Sequence, residues 1–175
     1  MNAGRLLIGG LVLTALVAGA AMYYLQVYAY YDRLTPDEVG PVAIQVAPGT
    51  PLSIGIRADA MQAIDSDSSP IRFRACFDTD PAYPGAAQPY PDPEPLVAPG
   101  WFDCFDAAAI GAALEEDRAR AFLAQENVTY GIDRVMAIFP DGRGFMWHQI
   151  NPCGEAVFDG DPAPEGCPPV PERLQ

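Results

Sequence analysis

From Leu6 to Tyr31 the chain reads LLIGGLVLTALVAGAAMYYLQVYAYY, an apolar run bounded by Arg5 and Asp32. As a helix rising about 1.5 Å per residue, it would reach roughly 39 Å. The hydrocarbon core of a bilayer is about 30 Å thick, so the run is long enough to span it. Tyr23, Tyr24, Tyr28, Tyr30 and Tyr31 crowd its C-terminal end, where amphipathic rings favour the water interface. The pattern predicts a transmembrane anchor over residues 6–31, with residues 1–5 in the cytoplasm and residues 32–175 as an exported domain.

Beyond the anchor the periodicity shortens. Thr35-Pro36-Asp37-Glu38 has the form of a capping box, and Gly40-Pro41 stops that helix within a turn. Val42–Val46 and Leu52–Ala58 read as strands. In the second, Leu52, Ile54 and Ile56 alternate with Ser53, Gly55 and Arg57. A polar loop over Asp65–Pro70 precedes a third strand, Ile71–Asp78, with Ile71, Phe73, Ala75 and Phe77 inward and Arg72 and Arg74 outward. Residues 80–100 hold seven prolines, which predicts a long extended surface connection. Asp106 caps an Ala-rich helix expected to run to about Glu126, with Glu116 and Arg120 as an i,i+4 pair. Tyr130–Phe139 and Phe145–Ile150 flank Asp141-Gly142-Arg143-Gly144, a strong hairpin signal. Val135–Phe139 is apolar on both faces, as a covered central strand would be. The tail, residues 151–175, reads as irregular. The sum is an α+β fold: a small antiparallel sheet with one main helix packed on it, behind an N-terminal transmembrane helix.

Charge sharpens the picture. All 23 acidic residues lie past the anchor with nine of the ten basic ones, every one Arg, leaving that part at −14. So acidic a surface repels nucleic acid and anionic lipid headgroups. A cleaved signal peptide is the rival to an anchor, because Ala18-Gly19-Ala20 has the small-x-small pattern of a cleavage site. The apolar run continues for eleven residues past Ala20, and this favours the uncleaved anchor. Arg5 and the positive-inside tendency keep the N-terminus cytoplasmic and export the acidic domain, placing the protein in the inner membrane with a periplasmic domain. Gly10, Thr14, Ala18 and Met22 recur at four-residue spacing, as do Ala15 and Gly19, which would let a second helix approach closely.

Four cysteines, Cys76, Cys104, Cys153 and Cys167, fall in the exported part, an even count that points to two disulfides in an oxidising compartment. Three connectivities exist. Cys76–Cys104 with Cys153–Cys167 is preferred because each closes one irregular loop, worth about 3 kcal/mol apiece by chain entropy. No pair has the C-x-x-C spacing of redox, haem or zinc-ribbon sites. His148, the single histidine, sits beside Trp147 and Met146 and reads as structural. Asp65-Ser66-Asp67 and Asp159-Gly160-Asp161 do not complete a calcium loop. Walker, G-x-S-x-G, H-E-x-x-H and dinucleotide fingerprints are missing from the sequence.

The anchor ending MYYLQVYAYY, then CFD, YGIDRVMAIFPDGRGFMWHQINPCG, FDGDP and GCP together resemble an uncharacterised family of single-span envelope proteins of alphaproteobacteria, a domain of unknown function. The resemblance spans nearly the whole chain and implies location and shape, with no reaction attached. The sequence reads first as a non-enzymatic accessory protein docking on a larger membrane complex, with no cofactor, no metal and no catalytic residue assigned. Two alternatives stand beside it. One is a binding module for a small ligand or metal around His148, Trp147 and the cysteines; the other is a hydrolase using Asp141 or Asp133.

Overall fold

The computed structural model describes residues 3–80 and 87–174. Residues 1 and 2 of the expected cytoplasmic segment, residues 81–86 of the Pro-rich connection and Gln175 of the tail lie outside it. The chain divides after Asp32 into two compact units. The first is helical: α1 spans Ala3–Tyr24 and runs on as a π-turn over Leu25–Ala29. It is apolar and long enough to cross a membrane, and none of its residues is buried. The helix thus starts three residues before the expected Leu6 and stops at Ala29. Thr14 folds its hydroxyl back onto the Gly10 carbonyl at 2.9 Å, so this polar side chain needs no water. The Tyr24 and Tyr28 rings stack with centroids 6.0 Å apart.

Among the described residues, the chain from Asp32 onward builds a sheet of six strands and a separate two-stranded hairpin. The strands are β1 (Asp32–Leu34), β4 (Gln62–Asp65), β5 (Arg74–Asp78), β6 (Arg120–Thr129), β7 (Ile132–Ile138) and β8 (Arg143–Ile150), in the order β1-β4-β5-β8-β7-β6. The hairpin pairs β2 (Ala43–Ala47) with β3 (Thr50–Ser53). The short helices are α2 (Pro36–Val39), α3 (Ala107–Glu115) and α4 (Pro152–Phe158). The fold is α+β, an N-terminal apolar helix followed by an antiparallel sheet and helices.

The sheet is covered on both faces. On one, Phe73, Ala75, Phe77, Phe122, Met136 and Met146 pack with Ile44 of the hairpin and Val39 of α2. On the other, Phe105 meets Phe145 and Trp147 edge-on, at 6.0 and 6.4 Å between centroids. Trp147 and Phe73 are fully buried, and each such side chain contributes about 1.5–3 kcal/mol. The Cys76–Cys104 disulfide joins β5 to the segment before α3, and Cys153–Cys167 joins α4 to the tail, with Cα separations of 6.2 and 5.8 Å.

Several local expectations differ. Arg74 does not face water: it is buried on the second face and donates to the carbonyls of Leu96 (2.7 Å), Ile71 (2.8 Å) and Phe73 (2.7 Å). The reason is the second cover layer, which half-buried alternation alone does not reveal. The helix begun by Asp106, whose carboxylate accepts from Ala109 N at 3.0 Å, stops at Glu115. Asp117 takes a positive φ of 55° and ends it, and Arg120–Thr129 becomes β6 against β7. Glu116 consequently bonds Arg118, at 2.6 Å, in place of Arg120. The strand expected over Leu52–Ala58 ends at Ser53, and Ile71–Asp78 shortens to Arg74–Asp78. Strand β4 and helix α4 replace what read as unassigned chain and irregular tail.

The Pro-rich connection is more than a surface loop. Gln88 and Tyr90 exchange backbone bonds with β6, through Leu123 N to Gln88 O (3.2 Å) and Tyr90 N to Ala121 O (3.1 Å). Its non-proline positions pair while its prolines block further growth, which protects an edge strand from outside pairing.

Candidate functional site

Strand β7 carries adjacent charges, Asp133 and Arg134, inside an otherwise apolar sequence. Alternation sends their side chains to opposite faces, and each gathers a polar cluster at the same end of the sheet.

On the Arg134 face the partner directly across β8 is His148. Its ring is buried and stacks on Phe73 at 4.7 Å. Nδ1 lies 2.7 Å from the Pro70 carbonyl, which can only accept, so Nδ1 holds the ring proton. Nε2 then accepts from Arg134 Nε at 3.1 Å. Arg134 lies over the Phe73 ring at 4.2 Å and reaches the Val39 carbonyl at 3.4 Å. Burial, with the arginine's charge second, pushes the His148 pKa down to about 4. The ring is therefore a neutral acceptor with both nitrogens in use. It serves to hold a guanidinium, which leaves it no free lone pair for a metal or a proton transfer.

Arg134 and His148 form one wall of an open cleft of about 390 Å³, shared with Asp65, Ser66, Ser69 and Thr129. Burial raises the Asp65 carboxyl above its ordinary value, partly offset by the bond from Ser66 N at 2.8 Å. Burial likewise lowers Arg134, and the charge of Asp65 opposes that shift. The pair is a mutual accommodation of two half-buried charges.

On the other face Asp133 is buried and saturated. Its Oδ1 accepts from Asn151 Nδ2 (2.7 Å) and Asn127 N (2.9 Å), and its Oδ2 from the Tyr90 hydroxyl (3.3 Å). Burial followed by the negative charge of Asp133 pushes the Tyr90 phenol well above its usual range. Asn127 sits at φ 47° and accepts from Gly131 N at 3.0 Å, while Asn151 caps α4 by accepting from Gly154 N at 3.0 Å. One carboxylate thereby joins the end of β6, the start of α4 and the Pro-rich strap. Asp141, by contrast, lies on the exposed β7–β8 turn against Arg143 at 2.8 Å, whose hydrogen bonds hold its carboxyl below the usual range.

The residues singled out from sequence are thus scattered. His148 and Trp147 are on opposite faces, the four cysteines are spent in disulfides, and Asp133 and Asp141 sit in separate surroundings. Among the described residues, no group of three His, Cys, Asp or Glu is placed to hold a metal. Gly10, Thr14 and Ala18 lie along α1, with Ala15 and Gly19 likewise in that helix. Sequence reading missed Arg134, Tyr90, Asn127 and Asn151. The interruption of an apolar strand by Asp133-Arg134 and the Asn151-Pro152 helix start were signals that pointed to them.

No curated protein and no solved structure matches the chain. A family model does, over residues 44–168, and the chain belongs to that family of unknown function, DUF6446.

Proposed function

We propose that this DUF6446 member is a single-pass inner-membrane protein with its N-terminus in the cytoplasm. Its acidic, disulfide-bonded domain lies in the periplasm and acts as a non-enzymatic accessory unit docking on a larger membrane complex. The observation that carries the reading is the helix Ala3–Ala29, apolar enough to cross a membrane, with none of its apolar stretch buried. A helix so exposed needs lipid or another protein around it. Gly10, Thr14 and Ala18, with Ala15 and Gly19, supply small surfaces on which a partner helix packs. Disulfides suit an exported domain. The chemistry-bearing side chains of the domain serve its own architecture: His148 clamps Arg134, and Asp133 ties three segments.

Extraction from native membranes tests this. The chain should resist alkaline carbonate, retain residues 6–31 by intact mass, and migrate in mild detergent within an assembly larger than a monomer. Recovery as a lone monomer would count against docking. A mature N-terminus near Ala21 would mean that the helix is a signal sequence, the second reading that Ala18-Gly19-Ala20 favours.

A further inference from the structure

An open groove runs between the Pro-rich strap and α4, with Leu123 of β6 and Gln149 and Ile150 of β8 on its floor. Two contiguous cavities of about 310 and 440 Å³ make it up, sharing Asp92, Gln149, Ile150 and Glu155. Two features stand out. Phe158 and Ile150 are 44% and 41% exposed there, in a domain whose other large aliphatic and aromatic side chains are mostly buried. Around them stand the carboxylates Asp92, Glu94, Glu126, Glu155 and Asp159, and among the described residues no arginine lines either cavity.

The walls are preformed. Gln149 ties the strap to β8 by accepting from Glu94 N at 2.7 Å and donating to Asp92 O at 2.9 Å. Trp147 Nε1 donates to the same Gln149 oxygen at 3.2 Å. The Cys153–Cys167 disulfide and the close approach of Gly154 to Gly131 hold α4 in place. A groove that needs no ordering retains more of its interaction energy on binding.

We infer that this groove receives a basic segment of a partner protein, an apolar side chain entering between Ile150 and Phe158 while flanking arginines or lysines meet the carboxylates. Charge complementarity selects the occupant. An acidic segment, or a second copy of this acidic groove face, would bring like charges together, and a purely apolar one would leave several carboxylates beside hydrocarbon. The inference deepens the docking role proposed above by naming the chemistry of the docked surface.

The test uses the full chain in phosphatidylcholine nanodiscs, with empty discs as blank. The probe is a labelled pentapeptide alternating arginine with leucine and phenylalanine. Saturable binding should weaken roughly tenfold in Asp92→Arg/Glu155→Arg and in Phe158→Ser, with melting temperatures kept. Asp37→Arg/Asp59→Arg, the same charge change outside the groove, should weaken it less than about threefold. Equal losses in both charge variants would overturn the assignment and return the affinity to net charge alone. Equally tight binding of an arginine-only peptide, or no saturable binding, would overturn it too. The outcome is separable from the anchor: groove binding persists if the helix proves to be cleaved, and membrane retention persists if the groove binds nothing.

Discussion

Asp133 and Arg134 are consecutive on one strand, yet the two faces of the sheet house their charges by different means. Asp133 is met by neutral donors from three segments, so its charge is spread over hydrogen bonds and its removal would unfasten all three. Arg134 is met by a neutral ring, an aromatic face and a distant carboxylate across an open cleft. The first arrangement is a closed knot, the second a clamp that tolerates water. A buried charge is expensive unless it is paired or fully hydrogen-bonded, and the two faces show both solutions.

The largest effect should come from the end of the sheet where the knot is tied. Gly131 has φ 77°, and a Cβ on Gly154 would collide with the Gly131 carbonyl. Gly154→Val should therefore cost about 4 kcal/mol or prevent folding, read by denaturant melts in detergent. Next, Asp133→Ala should lose about 3 kcal/mol by leaving Asn127 N and the Tyr90 hydroxyl without their acceptor and Asn151 Nδ2 with only Asn127 Oδ1, with Asp133→Asn losing less. An Asp133→Ala chain as stable as the parent would break the comparison, because the knot would then carry no weight.

The clamp predicts a pH dependence of definite sign. The unfolded histidine takes up its proton near pH 6.5, whereas folded His148 resists until about pH 4. Its contribution is complete above pH 6.5, falls as pH drops through this window and is fully lost below about pH 4. The swing is about 3 kcal/mol. Asp65, raised by burial, works in the opposite direction, so the difference between the parent and His148→Gln isolates the histidine. A difference that stays flat between pH 7 and 4 would show that the ring is not a buried neutral acceptor. Smallest of all, Asp141→Ala on the exposed turn should change stability by less than about 1 kcal/mol, since water screens its pair with Arg143.

Legibility varied with how local each signal was. The capping box at Thr35–Glu38 and the hairpin around Asp141-Gly142 depend on residues close in sequence, and both form. The stretch Ala119–Ala124 is Ala-rich and fits helix or strand; pairing with β7 decided for strand. Gln62–Asp65 is four residues long, too short for periodicity to register, and exists as β4 because β5 offers it an edge. Helix α4 was readable from Asn151-Pro152, yet the surrounding Pro and Gly made the tail look irregular.

The amino-acid order alone dictated the apolar rod, the acidic excess behind it, the even set of cysteines and the short-range turns, since each rests on composition or on neighbours within a few residues. That the face carrying Arg74 is covered, what His148 holds, how Asp133 gathers three segments and where the acidic groove opens were decided by tertiary packing. Those outcomes depend on a second layer covering the sheet and on distant segments meeting across it, and the spacing of residues along one strand does not encode either.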